Sequence, residues 1–249
     1  MTSNNPTASI SIGMVLFDGV TQLDMTGPYE VFARMPGAKV RLIASSLAPV
    51  RTEWGMTIMP EATFETAPPL DVLCVPGGWG INAVLDDERL LDFLRSRAAN
   101  ARYVTSVCSG ALLLGAAGLL QGYHATTHWL SLDLLASFGA HPVAERVVRD
   151  RNRITGGGVT AGIDFALVVA AELFGASVAQ AIQLAIEYNP APPYDSGSPH
   201  SAPTDVVQIV SRASADALTQ RRTIVERIGR TLAGARDASP GDLTLPRTH

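Results

Sequence analysis

ARYVTSVCSGALLLGAAGL (residues 101–119) decides the reading of this chain. Its first part, YVTSV, is β-branched and apolar, the composition of a buried strand. Cys108 follows at once, then a Ser-Gly step, then a run of Ala, Leu and Gly that reads as a helix. A thiol at the junction of a strand and a helix N-terminus is turned out of the sheet by the tight turn. It also meets backbone N–H groups and a dipole that favour negative charge. Cys108 is therefore a candidate thiolate nucleophile.

On either side of this stretch the pattern repeats. Residues 9–17 (SISIGMVLF), 39–45 (KVRLIAS) and 71–75 (DVLCV) read as strands, and residues 52–66 as an excursion of short strands. Residues 86–98 have the apolar spacing of a helix that covers a sheet, and Gly122 is placed to end the helix after Cys108. Residues 130–138 read as an amphipathic helix, 147–155 as a hairpin turning at Arg151-Asn152, and 161–175 and 178–188 as further helices. Strands alternating with helices through glycine turns predict a mostly parallel sheet with helices on both faces. In such sheets ligands gather at the carboxyl ends of the strands.

That rule brings together Asp24, Gly77, Gly78 and Cys108, each of which lies just after an expected strand. Asp24 sits in TQLDMTGP (residues 21–28), a segment expected to lead into a helix starting near Pro28. Alone, its carboxyl is either solvated at a loop edge or held in a cleft with a raised pKa; convergence on the sheet edge favours the cleft. The PGGWG turn (residues 76–80) either presents amides to an anion or is a plain tight turn. His128 is a polar contact near the thiol or a structural histidine. His124, four residues before it, adds no metal site, because the His, Cys and acidic partners a metal needs are missing from the pattern. The glycine run 156–158 before Thr160 is neither a Walker motif nor a dinucleotide fingerprint, so no cofactor is expected. Cys74, between Leu73 and Val75, reads as a small buried hydrophobe.

Composition narrows the function classes. The 249 residues carry a net charge of −4, with 47% hydrophobic residues, enough for a substantial core. An acidic balance without basic clusters gives no case for nucleic acid, and no apolar run approaches the roughly 20 residues of a membrane span. The first ten residues lack the basic and apolar regions of a secretory signal, and two cysteines outside any CxxC suit a reducing cytoplasm. Residues 189–203 (NPAPPYDSGSPHSAP) read as an irregular connector and residues 204–234 as one long helix with an apolar stripe. That stripe calls for a partner surface, on its own domain or on another subunit. Residues 235–249 read as a disordered tail.

Taken together, SVCSGALLLGAAGLL, ATTHW, PGGWG, TGGGVTAGIDFAL and QLDMTGPYEVF resemble the class I glutamine amidotransferase-like superfamily, in its PfpI-type branch. The resemblance covers nearly the whole chain, with residues 1–188 as the α/β domain. It implies a flavodoxin-like sandwich, a homodimer and a nucleophile elbow at Cys108. It also implies Asp24 as the carboxyl partner of the thiol, the amides of Gly78 and Ser109 as an anion-stabilising pair, and His128 as a nearby group. Gly77, Trp79, Thr160 and Tyr29 are expected as pocket or supporting residues. Hydrolytic relatives carry a histidine directly after the cysteine; Ser109 stands there instead, which argues against protease or amidotransferase chemistry. EYNPAPPYDSGSP and the C-terminal extension resemble the isocyanide-hydrating members, implying hydration of a small-molecule isocyanide to an N-substituted formamide without metal or cofactor. A redox-active stress-response thiol is the alternative. A ligand-sensing domain of a transcription regulator is disfavoured, because the region after residue 200 is too short for paired helix-turn-helix units.

Overall fold

A computed structural model describes residues 9–237. In chain order its strands are β1 (Ile10–Val15), β2 (Ala38–Ala44), β3 (Val50–Arg51), β4 (Thr57–Ile58), β5 (Ala62–Thr63), β6 (Val72–Val75), β7 (Tyr103–Val107), β8 (His124–Ala125), β9 (His141–Pro142), β10 (Val147–Asp150) and β11 (Arg153–Gly156). The helices are α1 (Gln22–Phe32), α2 (Ile81–Val84), α3 (Glu88–Ala98), α4 (Gly110–Ala116), α5 (Ala161–Phe174), α6 (Ala176–Ala185), α7 (Thr204–Ala213) and α8 (Ala215–Asp237). A 3-10 helix spans Trp129–Phe138.

Seven strands form one sheet in the order β10-β11-β7-β6-β1-β2-β5, and only the hairpin strand β10 runs antiparallel. This is the mostly parallel arrangement that the alternating pattern predicts and the flavodoxin-like sandwich that the resemblance implies. The central strands β6 and β7 have no exposed residue, and β6 is buried at all four positions, as expected of strands covered on both faces. Because β7, β6 and β1 are neighbours, the segments leaving their carboxyl ends are neighbours too. One edge of the sheet thus receives Cys108, the PGGWG turn and α1.

Four local expectations are corrected. First, α1 begins at Gln22, and Pro28 lies inside it. The missing Pro28 N–H leaves the Asp24 carbonyl without its helical partner, and the ring instead packs against α5, where a Cβ on Gly162 would come within 2.9 Å of Pro28 Cδ. Second, α4 stops at Ala116, and the left-handed glycine that follows its cap is Gly118 (φ 78°), upstream of Gly122. Third, residues 130–138 are part of the 3-10 helix and not an α-helix. Fourth, residues 204–234 form two helices that break at Ser214 (φ −100°). α7 buries no residue, whereas α8 seats Val225 and Ile228 on its own chain, against the 3-10 helix, α2 and α4. α8 continues to Asp237, and the rest of the expected tail, 238–249, lies outside the described residues.

α5 anchors the face of the sheet that carries α1. Phe165 is fully buried and meets Phe32 of α1 edge-on, with ring centroids 6.0 Å apart. Phe165→Ala should cost about 3–5 kcal/mol, read as a lower denaturation midpoint in urea with an unchanged slope.

Candidate active site

Cys108 closes β7 with φ 54°, a left-handed backbone that a non-glycine residue rarely adopts. Three contacts hold it. Its N–H donates to the carbonyls of Gly157 (2.7 Å) and Gly156 (3.2 Å) at the end of β11, and the Thr127 hydroxyl donates to its carbonyl at 2.6 Å. The turn thus points the thiol off the end of the sheet, where Ser109 N–H faces the sulfur and lowers its pKa.

Asp24 reaches the same place from the first turn of α1 and is fully buried. Gly77 N–H donates to its Oδ2 at 2.9 Å, while its Oδ1 is buried without a hydrogen-bond partner of ordinary geometry. Burial raises the Asp24 pKa to about 7, against the lowering effect of the Gly77 amide and of the Cys108 thiol. Burial also pushes the Cys108 thiol up, and a charged Asp24 pushes it further. The two groups titrate as a pair, charge on one opposing charge on the other.

The PGGWG turn touches both partners. A Cβ on Gly77 would lie 2.5 Å from Ser109 N, so glycine is what lets the ends of β6 and β7 approach this closely. Gly78 N–H donates to Ser109 Oγ at 3.1 Å, and that hydroxyl donates back to Gly78 O at 3.2 Å. The Gly78 amide is therefore already engaged, and the Ser109 side chain lies between it and any anion in the pocket.

A cavity of about 90 Å³ opens over the sulfur, lined by Thr21, Glu53, Gly78, Trp79, Ser109, His128, Leu130, Val159 and Arg221. Of the expected residues, Cys108, Ser109, Gly78, Trp79 and His128 border it, and Gly77 braces Asp24 beside it. Thr160 does not: it lines a neighbouring hollow of about 420 Å³ that shares His128 and Val159, and its hydroxyl accepts from Arg146 at 3.2 Å. Tyr29 packs half-buried against the core and lines neither space. Burial, helped by the Arg221 charge, lowers the His128 pKa to about 4, so the ring is neutral at working pH. His124 lies apart from it, its ring tilted against that of His141 and its backbone N–H bonded to Asp150. Cys74 is wholly buried in β6, and burial pushes its thiol up to about 12.

Glu53 and Arg221 were not foreseen. Glu53 comes from the β3–β4 excursion, where its carboxylate accepts from Thr21 Oγ1 (2.8 Å) and Trp79 N–H (3.2 Å). Nothing in the local pattern distinguishes it from a solvated loop carboxylate. Arg221 did leave a signal: it sits at helical spacing with Leu218, Val225 and Ile228, a charge on the apolar stripe of α8.

The model of the DJ-1/PfpI family matches residues 10–172, from β1 into α5. The chain belongs to the DJ-1/PfpI family. It is 56% identical over 219 residues to an isonitrile hydratase of Pseudomonas putida, covering 88% of this chain and 96% of the relative. A crystal structure of a ThiJ/PfpI family protein from Pseudomonas syringae superposes with a TM-score of 0.86 at 44% identity, covering 90% of this chain and 96% of that one. An HTH-type transcriptional regulator of Pseudomonas aeruginosa is 31% identical over 180 residues, 69% of this chain and 49% of the regulator. Membership thus covers the strand edge that holds Cys108 and Asp24, while α7 and α8 lie beyond the matched family segment.

The buried carboxyl has a stability consequence whose sign is fixed by its raised pKa. The folded state holds the Asp24 proton more tightly than the unfolded chain, so its contribution is full below about pH 3.8 and is lost as pH rises to about 7. Asp24→Asn should therefore be more stable than the wild type at pH 8, by on the order of a few kcal/mol, with the gap narrowing on acidification toward pH 4. Thermal denaturation across that range checks it.

Proposed function

We propose that this DJ-1/PfpI protein hydrates isocyanides to N-substituted formamides through a covalent thioimidate on Cys108, with Asp24 as general acid and base. The observation that carries the reading is the buried Cys108–Asp24 pair, in which a carboxyl of raised pKa lies beside the thiol and keeps one oxygen without a protein partner. The identity to the isonitrile hydratase supports the substrate class.

In the productive arrangement the proton is on Asp24 and the sulfur is a thiolate. The thiolate attacks the terminal isocyanide carbon, and Asp24 delivers its proton to that same carbon, giving a neutral thioimidate and a carboxylate. Water then adds to the carbon, with Asp24 taking a proton from it and passing one to nitrogen. Collapse of the adduct breaks the C–S bond, returns the hydroxyl proton to Asp24 and releases the formamide and the thiolate. One carboxyl serves every transfer, and a pKa of about 7 suits it to both directions near neutral pH. Ser109 N–H faces the sulfur and stabilises it as nucleophile and as leaving group. Neutral His128 lines the cavity without competing for the proton.

The small cavity over the sulfur holds the reacting N–C unit. The 420 Å³ hollow beyond His128 and Val159, roofed by Gly197, Ser198, Pro199 and His200 of the connector, receives the nitrogen substituent. The same reading takes the working enzyme to be a homodimer in the cytoplasm, where its two unpaired cysteines stay reduced. A redox-sensing thiol would have to meet its oxidant from solvent, whereas Cys108 is 6% exposed.

Cys108→Ala should abolish conversion of an aryl isocyanide, followed as formamide appearance. Asp24→Asn should fold and bind but lose at least about 100-fold in kcat, the scale of a positioned acid/base. Wild-type turnover in either variant refutes the mechanism.

A further inference from the structure

The thiol pocket contains a positive charge that the strand edge does not supply. Arg221, on α8, is only 3% exposed. Its Nε donates to Asn82 Oδ1 at 2.8 Å, its Nη1 to Ser131 Oγ at 3.0 Å, and its guanidinium carbon lies 5.0 Å over the Trp79 ring. All three partners are neutral. The neighbouring arginines of α8 behave differently: Arg222 pairs with Asp133 and Arg227 with Asp86, both at the surface. Among the described residues no carboxylate lies within ion-pair distance of Arg221.

A guanidinium keeps its proton even when buried, so this is a fixed charge whose desolvation the neutral partners only partly offset. It lacks an anion, and it lines the cavity together with Cys108. The groups that face the sulfur are few: Asp24 from α1, Glu53 from the β3–β4 connection, His128 ahead of the 3-10 helix and Arg221 from α8. His128 is neutral. Glu53 is held by Thr21 and Trp79, and its charge acts on the Asp24 side of the pair, where it favours the protonated carboxyl. Arg221 acts on the Cys108 side, where it favours the thiolate.

We propose that Arg221, delivered by the C-terminal helix, is the positioning residue that biases the pair toward the form with the proton on Asp24 and a thiolate at Cys108, with Glu53 acting in the same direction from the carboxyl side. The family match ends at residue 172, so this charge is an addition to the core fold rather than part of it. The proposal rests on Cys108 being the nucleophile, as in the function above, but its test needs no isocyanide.

Alkylation by iodoacetamide forms the S–C bond, expels iodide and proceeds from the thiolate, so its rate against pH reports the ionisation of Cys108 in the full-length protein. Cys108→Ala supplies the background from Cys74. Arg221→Met should raise the apparent thiol pKa by about one unit and slow alkylation at pH 7 about tenfold, while Arg221→Lys restores most of the rate. Arg221→Gln keeps hydrogen-bonding capacity without charge and should behave like Arg221→Met. If the Met variant does not fold, as judged by circular dichroism, the Lys and Gln pair decides. Profiles that coincide for wild type, Lys and Gln overturn the proposal, even if the wild type hydrates isocyanides. A shifted profile in a protein that hydrates none upholds the role of Arg221 and refutes only the substrate reading.

Discussion

One backbone constraint underlies the rest of this molecule: a cysteine held at φ 54° where β7 ends. Left to itself a residue in that conformation is disfavoured by on the order of 1–3 kcal/mol, and it persists only where the surroundings over-determine it. Here they do. Two carbonyls at the end of β11 capture the Cys108 amide, Thr127 captures its carbonyl, and Gly77 and Gly110 let β6 and α4 come close enough that no side chain resists the turn. A Cβ on Gly110 would lie 2.1 Å from Val75 O, so the glycine that opens α4 is required by the neighbouring strand rather than by the helix. The sheet order then matters chemically, because β11 and β6 flank β7 and bound the turn, while β1, next to β6, leads into the helix that carries Asp24.

That rigidity is offset by a deliberate electrostatic weakness. A carboxyl with no exposed surface, one oxygen without a partner and a thiol beside it would be replaced in a core selected for stability alone. The energetic loss is the same quantity as the pKa displacement that suits Asp24 to moving protons near neutrality. Stability and reactivity are therefore coupled through a single group. The surrounding aliphatic core, with Val75, Val107 and Leu112 fully buried, allows the fold to tolerate it.

Much of this was legible in the sequence, because strand and helix periodicities are local and the rule for parallel sheets converts order along the chain into proximity in space. Cys108, Asp24 and Gly77 could be brought together on those grounds alone. Helix limits were less legible. The helix was expected to start near Pro28, but it starts at Gln22, and packing of the Pro28 ring against Gly162 compensates within α1 for the hydrogen bond that proline removes. The break at Ser214 lies in an apolar stripe that continues across it, so periodicity could not locate it. The engaged state of the Gly78 amide depends on a serine rotamer 31 residues away, and no spacing encodes that. Glu53 likewise becomes part of the pocket only through Thr21 and the Trp79 amide, contacts that exist once the short strands are folded onto the sheet edge.

Arg221 was visible in a different way, as an exception. An apolar stripe is read by its hydrophobic members, and a charge at a stripe position is easily passed over as a solvated neighbour. At 3% exposure it is instead an anomaly inside α8, and each feature around it follows from that burial: the Asn82 and Ser131 acceptors, the Trp79 face, and the absence of a carboxylate partner among the described residues. The strand edge positions a thiol and an acid next to each other, and burial there raises the pKa of both. A preference requires an asymmetric field, and opposite charges at Glu53 and Arg221 provide one. On the proposed reading, an α/β core of this kind biases one proton by adding a single helix, without altering the strands that hold Cys108.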